Sequence, residues 1–514
     1  MGDPLLLIDP LALVTGEMAR EVAKSQGVCI RPLMRRVLDR DTGTDTRVAI
    51  PCGSTRERVC TTCAAKARRL RIQQCAEGWH RDTEPDCAHD PDTDEGDANG
   101  EDAASDTDDQ DDSRRVRSTR RRSDAPDLPR VPVEDRTIGR TYVSPEGREY
   151  RPSMFLTLTL PSYGAIRGGA PDDPDTYDYR RAALDAIVFP RLVDRFWQNL
   201  RRVAGYRVQY FAAVEPQHRL APHLHAAIRG TIPRKVIKDV VRATYLQVWW
   251  PNFDQPVYVH RKPRWDGSDY VDPDTGEVLT TWQEALDQAD PDAGPVHVAR
   301  FGEQLDMAGI VAPSADADRA IRYLTKYLTK SIADAHSPTD DDARPDPRYV
   351  AHIDRLHDEL QHLPCSERCA NWLRYGIQPQ DAGPGLVAGR CAGKAHDRDN
   401  LGLGGRRVLV SRQWSGKTLA EHRADRATVV REALAAAGML APEIERMAAT
   451  VLAKDGKPRF VWTDTKPDPV TYVRVIMAAV AEQQRWRAQY QAAKEAAGFV
   501  DNHSADTGPP PDPQ

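Results

Sequence analysis

The chain has 514 residues, of which 40% are hydrophobic and 29% charged, with a formal net charge of -6. At roughly 100–200 residues per domain this is enough for two to four folded units of ordinary composition. No apolar stretch reaches the ~18 residues that span a bilayer. The start, Met1-Gly2-Asp3-Pro4, has no basic segment before Leu5-Leu6-Leu7-Ile8, so no secretory signal and no membrane partner are expected and the chain is read as cytoplasmic.

Residues 1–81 form a Cys-rich N-terminal segment. Cys29, Cys52, Cys60 and Cys63 follow C-x22-C-x7-C-x2-C, whose last pair has the spacing of a zinc knuckle, so a structural Zn2+ is expected here. Cys75 and Cys87 are spare candidates. Nine cysteines in a cytoplasmic chain argue for metal ligation or free thiols rather than disulfides.

Residues 82–138 read as a disordered acidic and basic insert. Positions 82–112 hold 15 Asp/Glu and no Lys or Arg. Without those fifteen charges the net -6 becomes +9 for the rest of the chain. The bases are mostly arginine, the side chain whose planar fork suits phosphate, although arginine-rich codon usage gives the same bias.

Order is expected to return in a core over 139–335. Residues 154–160 alternate as a strand, 177–203 have helical spacing, and 206–215 and 222–229 read as two further strands. A helix is predicted over 232–249 and strands over 257–260 and 296–301, with a turn at Asp272-Pro-Asp-Thr-Gly276. A last helix is predicted over 317–332. The β-α-β-β-α-β order predicts an α+β fold: an antiparallel sheet of ferredoxin/RRM-like type with helices packed on one face. Residues 336–417 form a second Cys/His-rich segment, in which Cys365, Cys369, Cys391 and His396 give C-x3-C-x21-C-x4-H, again with zinc spacing. Residues 418–500 form a helical C-terminal region and 501–514 a disordered tail.

Two constellations carry chemistry. In a strand, His223 and His225 point to one side while Leu224 and Ala226 point to the other. The preceding strand ends at Glu215, and an antiparallel return would set its carboxylate beside both imidazoles. A His-His-carboxylate set with open positions suits Mg2+ or Mn2+ acting on a phosphate, with Zn2+ as the competitor and His218 as a weaker ligand. The alternative is the polar face of a half-buried strand. On a helical wheel with Tyr323 at zero, Tyr327 falls at about 40°, Lys330 at about 340° and Lys326 at about 300°. Two phenols and two ammoniums then share a face beside the apolar one, and a nearby ammonium favours phenolate. An amphipathic helix with tyrosines at the core edge would give the same pattern.

Phe155-Leu-Thr-Leu-Thr159, His223-Leu-His225 and Tyr323-x-x-Lys326-Tyr327-x-x-Lys330, in this order, resemble the three motifs of the HUH endonuclease superfamily. The paired tyrosines resemble the two-tyrosine initiators of rolling-circle replication. The wider pattern resembles the replication initiators of actinobacterial plasmids and integrative elements. It adds Cys52-Gly53, Val59-Cys60-Thr-Thr-Cys63, the run Ala221–Gly230 and the run Arg407–Thr418, and covers roughly residues 25–80 and 150–425. The resemblance implies an HUH core and a metal-dependent DNA nicking and joining enzyme acting on single-stranded origin DNA with flanking duplex. It implies His223, His225 and Glu215 as metal ligands and Tyr327 as first nucleophile. Tyr323 would then carry the second transfer, with Lys326 and Lys330 beside them, although the order of the tyrosines is not legible in the sequence. Host helicase and polymerase are the expected partners. A conjugative relaxase, an HUH transposase and a non-enzymatic zinc-stapled DNA-binding regulator are the competing readings. Ser411-x4-Gly416-Lys417-Thr418 looks like a phosphate-binding loop but has Ser where glycine is needed and bulky residues inside, so no nucleotide cofactor is expected.

Overall fold

The computed structural model describes residues 14–81, 83–84, 125–139, 141–147, 149–290, 294–312, 314–326, 328–330, 346–404, 407–436, 451–453 and 455–496. The chain is mixed α/β with antiparallel sheets. It divides into two compact units, one of residues up to Leu70 with those from Leu419 onward, the other Arg71–Thr418. Among the described residues no helix is long and apolar enough to cross a membrane.

In the first unit, helix α1 (Gly16–Ser25) starts where the Thr15 hydroxyl accepts from Met18 N, satisfying one donor of the first turn. Its small residues Ala19 and Ala23 let it pack closely on Val473, Ile476 and Val480 of the C-terminal helix. Strands β1 (Leu33–Asp39) and β2 (Asp45–Ile50) form a hairpin; helix α2 (Thr61–Trp79) follows, its residues from Arg71 onward belonging to the second unit.

In the second unit the main sheet contains β3 (Glu149–Leu158), β4 (Tyr210–Pro216) and β5 (Pro222–Ile228). Helix α3 (Tyr179–Ala204) joins β3 to β4. It is capped by Asp178, whose carboxylate accepts from Arg181 N, and stopped by Gly205 at φ 73°, a backbone shape that suits glycine. Helix α4 (Arg234–Ala243) ends at Thr244, whose hydroxyl donates to Val240 O and accepts from Asn199 Nδ2. The predicted helix over 232–249 therefore stops early. Tyr245–Val248 becomes β6 and pairs with β7 (His297–Arg300) in a separate ribbon, as its aromatic and branched residues favour. The strand predicted at 257–260 is irregular: Val257 N and Tyr258 N both donate to Arg374 O. The turn at Asp272–Gly276 forms, with Gly276 N donating to Asp272 O.

Strand β8 (Leu305–Ala312), not foreseen, also belongs to the main sheet. Helix α5 (Ala315–Leu324) follows, then α6 (Pro347–His362) and the short strand β9 (Val408–Val410). The sheet order is β8-β3-β5-β4-β9, every neighbouring pair antiparallel. The first and third strands of the β-α-β-β-α-β unit are thus adjacent in the centre. Helix α7 (Leu419–Ala436), strand β10 (Phe460–Asp464) and helix α8 (Pro469–Ala496) return to the first unit, where β10 pairs with β1 to give the order β10-β1-β2. The C-terminal region is thus not purely helical.

The sheet is covered on both faces, which corrects the expectation of helices on one. Ala212, Val214, Leu224 and Ala226 pack with Leu192, Phe196 and Leu200 of α3. Phe211, Ala213 and Ala227 pack with Trp79 of α2, Ile321 and Leu324 of α5, and Trp414. Strands β4 and β5 hold almost no exposed residue, so neither face can be left to water. Nor is the 336–417 segment separate, since α6 joins the main core through Ile353 and Leu356 and β9 joins the sheet.

The predicted insert also ends earlier than residue 138. Thr137 is buried, its N–H and hydroxyl donating to the Glu84 carboxylate, and Val131 N donates to Arg202 O. The acidic and arginine-rich run between 85 and 124 and the tail 501–514 lie outside the described residues. Within the phosphate-loop look-alike, Ser411 Oγ accepts from Tyr210 N, and Trp414 is fully buried, its carbonyl accepting from Arg229.

Candidate metal centre and nucleophile

Pairing of β4 with β5 sets Glu215 directly opposite His223 and Ala213 opposite His225. Directly opposed residues share a face, so Glu215, His223 and His225 converge on one side of the sheet. On the other flank of β5, Thr157 of β3 stands opposite His225. Its hydroxyl lies 2.9 Å from His225 Nδ1, leaving Nε2 to face the centre. Phe155 stacks on the same imidazole at 5.8 Å between ring centroids.

The His223 and His225 Nε2 atoms are 2.7 Å apart, and His225 Nε2 is 3.8 Å from Glu215 Oε2. One ligand atom from each of the three residues lies within 4.8 Å of the others. All three are buried, at 3% exposure for Glu215, 9% for His223 and 4% for His225. Burial pushes the Glu215 carboxyl up to about 8, against the opposing pull of the Arg407 and Lys326 charges. Burial likewise pushes His225 down to about 4, which keeps that imidazole neutral with a lone pair to give.

Helix α5 crosses this face. Ile321 and Leu324 anchor it in the core, and Tyr323 turns towards the triad. The Tyr323 phenol oxygen is 3.3 Å from His225 Nε2, and its ring meets Phe155 edge-on at 6.0 Å. The helix ends here rather than running to 332. The Thr325 hydroxyl donates back to Ile321 O, and turns follow. The wheel that put both tyrosines and both lysines on one helical face does not apply past Leu324. Tyr327 lies outside the described residues; Lys326 is exposed and Lys330 half-buried. An open groove of about 410 Å3 runs from Glu215, His223 and Tyr323 along Pro216, Gln217 and His218. His218 is on this wall rather than in the ligand set.

The two cysteine sets assemble separately. Cys29, Cys52, Cys60 and Cys63 bring their sulfurs together, with Cys60 Sγ 3.8 Å from Cys29 Sγ. Cys365, Cys369, Cys391 and His396 form the other set. There His396 Nδ1 donates to Leu360 O at 2.6 Å, which aims Nε2 at Cys369 Sγ, 3.4 Å away. Either set has the donors to hold a structural metal ion such as zinc. Cys75 instead is buried in the apolar cluster of Trp79 and Trp414, and Cys87 lies outside the described residues.

Sequence reasoning left Thr157 and Arg407 without a role. Thr157 lies two residues after Phe155, so alternation could have flagged it once the β3–β5 register was known. Arg407 opens the run Arg407–Thr418, but nothing in that run points to its charge acting on Glu215.

A family model described as RepSA, the replication initiator protein of pSAM2, matches residues 15–482. The chain belongs to this family of replication initiators. No curated protein and no solved structure matches it.

Proposed function

We propose that this protein starts rolling-circle replication by nicking one strand of origin DNA through a tyrosine. The observation that carries the reading is the Tyr323 phenol 3.3 Å from His225 Nε2, within the Glu215, His223 and His225 cluster. The sheet order supports an HUH-type core.

One carboxylate oxygen and two imidazole nitrogens suit a divalent cation such as Mg2+ or Mn2+. The fit has independent support: Glu215 Oε1 is buried with no hydrogen-bond partner among the described residues. Bound there, the cation would supply Lewis acidity to the scissile phosphodiester. The chain's own residues do the rest. Thr157 holds the His225 ring in orientation. Lys326 contributes positive charge near the triad and counters that of the phosphate. The tyrosine oxygen bonds to phosphorus as its proton leaves. The bond from phosphorus to the 3′ oxygen breaks, and that oxygen takes up a proton. The products are a free 3′-OH and a 5′-phosphotyrosine, which conserves the phosphodiester energy for rejoining. Tyr323, already at the triad, is proposed for the first attack and Tyr327 for the second. This reverses the order inferred from motif spacing.

The test is an SDS-stable adduct formed by the purified protein, Mn2+ and single-stranded origin oligonucleotide. Replacing both Tyr323 and Tyr327 by Phe is expected to abolish it; an adduct that survives refutes the assignment. The cysteine sets are proposed as structural zinc sites that staple loop-rich segments. Metal analysis should give two zinc ions per chain, and Cys369→Ser should leave one. Two ions in that variant would refute the second site.

A further inference from the structure

The turn that joins the two ligand strands is built more tightly than a connection requires. Gln217 N donates to Ala221 O and Leu220 N to Gln217 O, so residues 217–221 close on themselves. Leu220 is held at φ 59°, in the left-handed region where a leucine is strained, and is buried. Arg219 anchors the turn from within. Its Nη1 donates to Pro161 O and its Nη2 to Leu160 O, both at 2.6 Å, and its guanidinium lies over the Tyr163 ring. Its backbone oxygen accepts from the Tyr177 hydroxyl. The guanidinium is committed to main-chain carbonyls and so is not offered to a phosphate.

Arg219 does one more thing. Its Nε donates to Gln217 Oε1 at 2.7 Å. That contact engages the Gln217 carbonyl, so a hydrogen bond from this amide to a ligand would come from its nitrogen. Gln217, the exposed His218, Pro216 and Ile166 line the groove that opens from Tyr323 and His223. Pro216 and Ile166 offer apolar surface to the flat face of a ring, while Gln217 and His218 offer hydrogen bonds to its edge. A volume of about 410 Å3 accommodates one unstacked nucleobase. Unpaired bases are recognised in this way, by packing on the face and hydrogen bonds at the edge.

We infer that the Gln217–His218 turn is a base-reading element, and that it selects a base with a carbonyl where adenine and cytosine carry an amino group, thymine through O4 or guanine through O6, next to the phosphate attacked by the tyrosine. The inference rests on the nicking function proposed above and adds to it the residues that choose the cleavage sequence.

The experiment works without a defined origin sequence. The full chain is incubated with Mn2+ and a single-stranded library, random over a central window between fixed flanks. Both the covalently held strand and the released 3′-OH strand are sequenced up to the cut. For the wild type, one position adjoining the cut should favour thymine or guanine by about tenfold, the scale of an edge hydrogen-bond pair. In Q217A, at a half-buried position, and H218A, at an exposed one, that position should fall to within about twofold of random while more distant preferences persist. A preference that survives in both variants, no preference beside the cut in the wild type, or a preference for adenine or cytosine overturns the inference. Absence of any adduct from the wild type would refute the nicking function itself, and this inference with it.

Discussion

Glu215, His223 and His225 sit on two strands that are almost wholly buried, whereas Tyr323 sits on the last turn of a ten-residue helix and is 45% exposed. The hairpin is held by register, by core on both faces and by the Arg219 anchor. The helix end is anchored by Ile321 and Leu324. Tyr323 meets the ligand set at one imidazole, His225. The contrast separates two jobs. Groups that must converge on a cation gain from a rigid frame, because every ångström of drift costs coordination. A group that must approach, bond to and later leave a phosphorus atom gains from a place where the backbone can move, as a helix terminus can.

Substitutions on either side of His225 should therefore fail differently. Tyr323→Phe should reduce first-turnover adduct by about 10^4-fold, the scale of losing a nucleophile. Its Mn2+ affinity should stay within about twofold of wild type; a parallel collapse of metal binding would erase the distinction. His225→Ala should lower Mn2+ affinity by more than about 100-fold, beyond the range seen for outer partners of a ligand, and take cleavage with it. Gel-shift affinity for duplex DNA should be retained; equal loss of both would assign the strand a structural role. Thr157→Val keeps the shape but removes the partner of His225 Nδ1. Mn2+ affinity should fall about 10- to 100-fold by calorimetry, with the melting temperature barely changed. The smallest effect is expected at Lys326→Ala, where the adduct rate should fall about tenfold and the loss should shrink as salt rises. A salt-independent loss would point to packing rather than charge.

The sequence made the hairpin legible because its information is local and periodic. Alternation in His223-Leu224-His225, a six-residue connection and a strand ending in Glu215 suffice to place three side chains on one face. The two cysteine sets were legible for a similar reason, since ligand type and spacing narrow the partners before any fold is known. The helix after Ser314 was legible only to Leu324. Nothing in a hydrophobic wheel reports that the helix closes at Thr325, whose N–H and hydroxyl both donate to Ile321 O. Strands β8 and β10 were missed because their neighbours lie far away in the chain, β8 on Glu149–Leu158 and β10 on Leu33–Asp39. The second covered face was missed for a similar reason: Trp79, Ile321 and Trp414, which meet on one side of the sheet, are far apart in the chain.

The central claim is that a phenol on the end of α5 attacks a phosphate held at the hairpin. It is tested most directly by trapping the covalent complex after a single turnover, digesting it, and mapping the nucleotide-bearing peptide by mass spectrometry. The account predicts the nucleotide on Tyr323. Linkage only to Tyr327 would contradict the proposed order of attack, and linkage to any residue other than these two tyrosines would contradict the site.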